Sequence, residues 1–204
     1  MTPNPMPAPP PQQPKKSGVS AVVIAIVAVA LLCPCIGIVA AIAIPNFIKF
    51  QSRAKQSEAK MQLKSAFSAE QMYFADNQAY STSPQAVGFS PERGNRYLIA
   101  FSADGELAES GKLSKEATGV KADAARYPNL DNDALERGIP AELMNEVGVT
   151  GKCPDDCAIT IVAAGNIDND DTIDVWSVST KARTINGVPV APGAPHNHVD
   201  DTRE

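Results

Sequence analysis

The chain has 204 residues, enough for one domain with appendages, and a formal net charge of −5. Residues 1–44 hold two lysines and no acid, so they carry +2 and the remaining residues carry −7. An acidic folded part argues against nucleic acid as a partner, because phosphate binding needs a basic face. Aromatic residues make up only 5% of the chain, which fits a modest sheet domain better than a large enzyme with a deep cleft.

Residues 1–18 are predicted to form a proline-rich tail. Seven of the 17 prolines lie within residues 1–14. Such a run cannot form the interior of a helix and has almost no apolar side chains to bury. We therefore expect an extended, polyproline-like or disordered spacer. A docking site for a proline-reading partner is the alternative.

Residues 19–48 are predicted to be the transmembrane half of a long N-terminal helix. No charged residue occurs from residue 17 to residue 48. As a helix, residues 19–44 alone would be about 39 Å long, which exceeds the roughly 30 Å of bilayer hydrocarbon. A secretory signal peptide is the competing interpretation, but the run is too long for a typical signal core. The positions that represent the anchor are Val19, Ile24, Leu31, Ile38 and Ile44.

Cys33 and Cys35 lie on either side of Pro34 inside this run. Residues two apart on a helix point in different directions, so these cysteines are poorly placed for a disulfide with each other. We interpret them as small apolar residues of the membrane segment, and we expect Pro34 to bend the helix. A redox or metal role would need partners that the segment does not offer.

Pro45 is the predicted junction, after which the helix becomes amphipathic. Over residues 49–77, apolar side chains recur at intervals of three and four residues, and Asn77 is a reasonable end of the helix. Such a stripe needs a surface to pack against, and a sheet formed by later residues would supply it. The stripe consists of Ala59, Leu63, Ala66, Phe67, Tyr73 and Phe74.

Residues 78–190 are predicted to form the globular domain. Residues 97–101 have the composition of a strand, and the turn at residues 104–105 predicts a hairpin with residues 106–108. Residues 109–150 are hard to interpret beyond two short helices, at Asn132–Arg137 and at residues 141–146.

The strongest strand pattern of the chain is at residues 158–163. We expect this strand to pair with Asp174–Ser179, whose side chains alternate. Residues 185–190 are predicted to add an edge strand. Residues 191–204 are predicted to be a flexible acidic tail.

Cys153 and Cys157 come just before the strongest strand. In an oxidising compartment they can close a small loop, which the chain-entropy model values at about 2 kcal/mol. The alternative is half of a zinc site, but no second pair of cysteines or histidines stands at a usual spacing. A structural disulfide supports a C-terminal domain outside the cytoplasm and an N-terminal tail inside it.

An acidic turn separates the two best strands. Asp168, Asp170 and Asp174 lie at alternating positions, and carboxylate oxygens are the ligands that Ca²⁺ prefers. The turn is not an EF-hand, because the positions of the required glycine and glutamate are occupied by Ile173 and Ser179. A solvated turn with Asx capping is the alternative interpretation. Apart from this calcium, no cofactor is expected.

His196 and His198, the only histidines, are predicted to be residues of the C-terminal tail, where they could bind a transition metal weakly. The chain shows no order of serine, histidine and aspartate typical of a triad, and no phosphate-binding glycine loop. Trp176 lies in an alternating strand pattern and is expected in the core. We therefore do not expect an enzyme.

Three segments of the chain, taken in order, resemble the segments of one known protein family. AAIAIPNFIKFQSRAKQSEAK (residues 40–60) resembles the N-terminal helix of bacterial type IV pilins and their pseudopilin relatives, and GFSPERGNRY (residues 88–97) resembles the segment before the first strand in one group of them. CPDDCAITIVAAGNIDNDDTIDVWSVS (residues 153–179) resembles their paired-strand region. The resemblance implies an α+β fold, in which a long N-terminal helix packs its second half on a small antiparallel sheet.

The resemblance also implies a function. It predicts a membrane-anchored structural or assembly component, namely a divergent minor pilin or pseudopilin of a type IV pilus or type II secretion system. Its partners would be the lipid bilayer and other pilins or pseudopilins, which it would contact through the N-terminal helix. The implied location is the bacterial inner membrane, in a single pass with the domain outside the cytoplasm. The alternative is a bitopic protein whose domain binds a ligand or partner without entering a filament.

The chain departs from the family at the start of the helix. Prepilins have a glycine at the cleavage point and a glutamate at the fifth mature position. Counting back from Pro45 puts the first mature residue near Ile24 and the glutamate position at Ala28. Cleavage after Gly18 would instead put Val23 at the glutamate position. We expect an uncleaved subunit that remains in the membrane.

Overall fold

The computed structural model describes residues 20–168 and 170–202, and for residues 32–37 it describes the backbone alone. The predicted tail of residues 1–18 and the anchor residue Val19 lie outside the described residues, and so do the side chains of Cys33 and Cys35. The chain divides into two units, Met1–Asn46 and Phe47–Glu204. The boundary falls one residue after Pro45, the predicted junction.

Helix α1, Ala21–Asn77, ends at the predicted residue. In the first unit its large apolar side chains that the structure describes are exposed, with Leu31 at 66% and Ile44 at 58%. Among the residues that the structure describes, no helix is both long enough and apolar enough to cross a membrane. The transmembrane half at residues 19–48 therefore stays a prediction.

In the second unit, α1 buries one stripe of side chains. The buried positions follow one another at intervals of four and three residues, which places them on one face of the helix. This confirms the predicted stripe at Ala59, Leu63 and Ala66, which are fully buried, whereas its other members are only half-buried, namely Phe67, Tyr73 and Phe74. Half of the stripe is polar, which apolar periodicity did not predict. The buried positions are Ser52, Gln56, Ala59, Leu63, Ala66 and Glu70.

Seven strands of the described residues form the main sheet, namely β1 Tyr97–Ala100, β2 Leu107–Ala108, β3 Gly119–Val120, β4 Gly148–Lys152, β5 Asp156–Gly165, β6 Asp174–Ser179 and β9 His196–Val199. They lie in the order β2-β3-β1-β5-β6-β9, with β4 also paired to β5. All pairs are antiparallel except β2 with β3. The predicted pairing of the two best strands, β5 and β6, is confirmed.

The sheet is covered on both faces. Side chains alternate along β1, so Tyr97 and Ile99 pack under α1, whereas Leu98 and Ala100 face the opposite layer. That second layer contains the short helices α2, Asn132–Arg137, and α3, Ala141–Met144. Burial on both faces explains why residues 158–163 form a nearly continuous apolar run. The α+β fold predicted from the sequence is confirmed.

Two predictions about the sheet and one about the C-terminal tail were wrong. Residues 107–108 do not form a hairpin with β1, because β3 lies between them, and Gly119 allows a close approach to the Ile99 carbonyl. Residues 185–190 do not add an edge strand. They belong to a separate hairpin of β7 Arg183–Ile185 and β8 Val188–Val190, whose turn residues Asn186 and Gly187 both have positive φ.

The third correction concerns the predicted flexible tail at residues 191–204. Within the described part of that segment, β9 pairs with β6. Asp201, just beyond the strand, is 1% exposed. The C-terminal segment is thus part of the domain.

Candidate functional site

A buried carboxylate, Asp174, lies at the start of β6 beneath helix α1. Its Oδ2 accepts hydrogen bonds from the Tyr97 hydroxyl at 2.7 Å and from Trp176 Nε1 at 2.6 Å. Its Oδ1 accepts from Gln56 Nε2 at 3.0 Å and from Asn197 Nδ2 at 2.9 Å. The carboxylate is therefore satisfied by four neutral donors, as a buried charge requires.

These bonds join α1, β1, β6 and β9 at one point. Burial, together with the charge of Asp174, raises the pKa of Tyr97 far above its usual range, so the phenol stays a donor. The Trp176 ring lies in the core as predicted, and Lys60 Nζ lies 4.6 Å from its centre. The Asp174 network is therefore a structural clamp between helix and sheet.

Asp174 was also a predicted calcium ligand, but in the structure it lies outside the cluster of acidic residues that could hold a cation. In the described part of the chain, the carboxylates that converge are Asp168, Asp170 and Asp201, whose ligand atoms all lie within 4.8 Å of one another. Asp168 and Asp170 belong to the β5–β6 turn, where Asp168 is exposed, and the buried Asp201 comes from the segment after β9. Nothing in the local sequence pattern distinguishes Asp201 from Asp200, so the sequence did not predict it.

Asp201 is the buried member of this cluster. Its Oδ2 accepts from the Ile167 backbone N–H at 2.8 Å. Its Oδ1 is buried and has no hydrogen-bond partner among the described residues. Burial, reinforced by the charges of Asp168 and Asp170, raises the pKa of Asp201 to about 7.

The turn also has the Asx geometry that the alternative interpretation predicted. Asp168 Oδ1 accepts from the Asp170 N–H at 3.3 Å, and Asp170 Oδ1 accepts from the Thr172 N–H at 2.6 Å. Lys55 on α1 donates to the Ile167 carbonyl beside the cluster. Burial and the nearby Arg96 lower the pKa of Lys55, against the opposing charges of Asp168 and Asp201.

Cys153 and Cys157 form a disulfide in the structure, with their Cα atoms 4.8 Å apart. The bridge closes the turn between β4 and β5, next to the paired residues Lys152 and Asp156. The two cysteines thus form the disulfide that their spacing predicted. Both sulfurs are used within the bridge, which leaves no thiolate for a metal.

The two histidines lie on β9 and not in a loose tail. His198 Nε2 and the Ser177 hydroxyl are 2.7 Å apart, and Arg183 Nη2 donates to the same hydroxyl at 2.9 Å. Burial, with the neighbouring charges of His196 and Arg183, lowers the pKa of His198 to about 4. Ser177 is fully buried in the sheet, so this pair of serine and histidine does not offer a nucleophile to a substrate.

An open groove of about 570 Å³ runs beside α1 in the second unit. It lies between the helix and residues 89–95, and its lining includes Glu58, Met61, Phe89 and Arg93. Met61 is 66% exposed there. The groove combines apolar side chains with two acids, Glu58 and Glu92, and one base, Arg93, which fits contact with another protein or a small ligand.

Comparison with known proteins agrees with this architecture. The model of the family described as Type IV pilin PilA matches residues 50–174, which extend from the second half of α1 to the start of β6. The Type IV major pilin protein PilA of Myxococcus xanthus is 34% identical over 196 residues, covering 81% of this chain and 86% of that protein. The chain therefore belongs to the type IV pilin family.

Proposed function

We propose that this chain is a structural subunit that assembles with other pilins into a filament through the apolar half of α1. The observation that carries the proposal is the exposure of that half. Between Val22 and Phe50, the large apolar side chains that the structure describes are 49% to 69% exposed. Monomeric soluble proteins rarely leave so extended an apolar surface uncovered. The surface needs either lipid or the helices of other subunits.

The strength of such a contact follows from the side chains. Full burial of one valine, isoleucine or phenylalanine out of water is worth about 1.5–3 kcal/mol, and lipid or the helices of other subunits would provide it. Ala28 and Val23 stand at the two positions that counting assigns to the family's glutamate. In this chain, filament contacts would therefore depend on apolar packing and not on a pair between a glutamate and an N-terminal amine.

Relatives favour a pilus over a secretion machine. The similar Myxococcus protein is named a major pilin, so we place this chain among the pilus subunits in preference to minor pilins and pseudopilins of type II secretion. Before assembly, we propose, residues 19–48 hold the chain in the bacterial inner membrane with the tail inside. The Cys153–Cys157 disulfide supports a domain outside the cytoplasm.

A second candidate function keeps the expectation drawn from the start of the helix: a membrane-held subunit that binds a ligand or partner without entering a filament. The groove between α1 and residues 89–95 is the feature that favours it. The two functions differ in where the protein is found. A filament subunit leaves the cell surface with sheared pili, whereas a membrane-held binding protein stays in the membrane fraction.

A pair of variants in the native host tests the filament proposal. Ile42→Asp places a charge in the exposed apolar half, where Ile42 is 63% exposed, and Val188→Asp places the same charge on β8, where Val188 is 53% exposed. We expect Ile42→Asp to remove the chain from sheared filaments while its domain keeps the wild-type unfolding temperature. Val188→Asp should still enter filaments. Equal incorporation of both variants would contradict assembly through the apolar half.

A further inference from the structure

We propose that Asp168, Asp170 and Asp201 bind one divalent, oxygen-preferring cation, with Ca²⁺ as the best fit, and that this cation ties the C-terminal segment to the β5–β6 turn. The three ligands come from two parts of the chain. Asp168 and Asp170 belong to the turn, and Asp201 follows β9. The cation would therefore connect two segments that are otherwise joined through the sheet.

The spacing of the oxygens suits calcium. One ligand atom from each residue lies within 4.8 Å of the others. Ca²⁺ holds oxygens at about 2.3–2.6 Å, so two of its ligands can be up to about 5 Å apart, whereas Mg²⁺ allows only about 4.2 Å. The cluster can thus surround Ca²⁺ with little movement, but it would have to contract for Mg²⁺.

The buried oxygen of Asp201 is a second, independent indication of a ligand. The residue is 1% exposed, its Oδ2 already accepts from Ile167, and its Oδ1 has no hydrogen-bond partner within the described chain. A buried acceptor without a partner is costly, and native proteins satisfy nearly all of them. Asx turns explain the positions of Asp168 and Asp170, but they do not explain why a buried carboxylate is brought to them. A bound cation explains both.

Charge balance points to the same class of ligand. When all three carboxylates are ionised, as cation binding requires, they carry −3, and Lys55 beside them adds +1, so the region then needs about two positive charges to become neutral. Lys55 donates to the Ile167 carbonyl and, among the described residues, forms no ion pair with the three acids. Its ammonium offsets part of the negative charge while donating its hydrogen bond to a carbonyl.

Occupation of the site would stabilise the whole clamp between helix and sheet. Asp201 lies next to Asp200, whose Oδ1 accepts from Gln56 Nε2 at 2.9 Å on α1. Asn197 of the same segment donates to Asp174. Holding Asp201 on the turn therefore also holds the segment that contacts α1.

Calcium binding to the full chain, extracted in detergent and stripped with EDTA, is the direct test. We expect one saturable site in equilibrium dialysis with ⁴⁵Ca²⁺, with a Kd of about 10⁻⁵ to 10⁻³ M. Asp201→Asn and Asp168→Asn should each weaken binding at least about tenfold. Asp171→Asn removes the same charge from the same turn but lies outside the cluster, and it should change Kd by less than about twofold.

Thermal unfolding provides a readout that separates binding from misfolding. Calcium at about 10 to 100 times Kd should raise the midpoint of wild-type unfolding by about 3–10 °C and leave Asp201→Asn unchanged. In EDTA, Asp201→Asn should be at least as stable as the wild type, because it replaces a buried ionisable group that lies beside two other carboxylates. If Asp201→Asn does not fold, the exposed Asp168→Asn decides by its loss of binding. No saturable binding up to about 10 mM Ca²⁺, or binding that survives both substitutions, would overturn the proposal.

Discussion

The Tyr97 hydroxyl on β1 donates a hydrogen bond of 2.7 Å to Asp174 on β6, although β5 lies between these two strands. The bond passes over the α1 face of β5, where Gln56 reaches the same carboxylate from the helix. A single buried charge thus fixes the position of the helix relative to three strands of the second unit. The strength of this arrangement can be measured with conservative substitutions.

Tyr97→Phe removes the hydroxyl and keeps the ring in the core. Because the lost bond has a charged acceptor, we expect the free energy of unfolding to fall by about 1.5–3 kcal/mol. Tyr73→Phe is the matched control, since the Tyr73 hydroxyl forms no hydrogen bond within the described residues and its side chain is half-buried. Urea denaturation followed by circular dichroism measures both. Equal stability of the two variants would show that the Asp174 network contributes nothing.

The packing of α1 on the sheet depends on Leu63, which is fully buried in the core. Leu63→Ala should lower the free energy of unfolding by about 2–5 kcal/mol, because it removes buried methyl groups and leaves a cavity. Met61→Ala shortens a side chain that is 66% exposed two positions away and should stay within about 0.5 kcal/mol of the wild type. The same urea series measures this pair. A loss for Leu63→Ala no larger than that for Met61→Ala would refute the predicted packing.

Glu70 gives the domain a specific pH dependence. The side chain is fully buried on α1, its Oε2 accepts from the Ser81 N–H at 3.2 Å, and its Oε1 has no partner among the described residues. Burial raises the pKa of Glu70 to about 7, from 4.5 for a free glutamate. The folded state then binds a proton more tightly than the unfolded state does. The contribution of Glu70 to the free energy of unfolding is therefore complete below about pH 4.5, and it declines as the pH rises to about 7.

Glu70→Gln isolates this contribution, because the amide keeps the shape and cannot ionise. The difference in unfolding free energy between wild type and variant should change by about 2–3 kcal/mol between pH 4.5 and 7.5, with the wild type losing stability. Glu116→Gln, at an exposed position, should leave the wild-type profile intact. Parallel profiles for wild type and Glu70→Gln would contradict a buried, proton-binding Glu70.

The Cys153–Cys157 bridge closes a ring of five residues. Its removal by the double substitution Cys153→Ser and Cys157→Ser should lower the free energy of unfolding by about 2 kcal/mol. Dithiothreitol should destabilise the wild type to the level of the double variant and leave that variant unchanged. Two reactive thiols at these positions in the purified, non-reduced protein would rule out the bridge.

Local patterns were enough to predict several features of the domain. The end of α1 at Asn77, the bounds of α2 and the pairing of β5 with β6 all depend on residues close in sequence or on strong periodicity. The Cys153–Cys157 bridge likewise spans only four positions. Each of these features is determined by residues close together in the sequence or by a strong periodic pattern, so periodicity and spacing predict it.

Features that depend on distant partners could not be predicted in the same way. Strands β2 and β3 have two residues each, and their place in the sheet is set by pairing with β1. Gln56 and Glu70 are polar residues on a buried stripe, and only their tertiary partners explain their burial. Asp201 joins the acidic turn because β9 pairs with β6, which the polar composition of the last residues did not indicate.

The composition of filaments sheared from cells that make this chain tests the central proposal most directly. Sheared material would be separated from membranes, and the chain would be identified and quantified in both fractions by mass spectrometry. We predict that the chain is a main component of the filaments and that α1 peptides spanning Pro45 are recovered with it. Filaments that lack the chain, in cells whose membranes retain it, would contradict its role as a filament subunit.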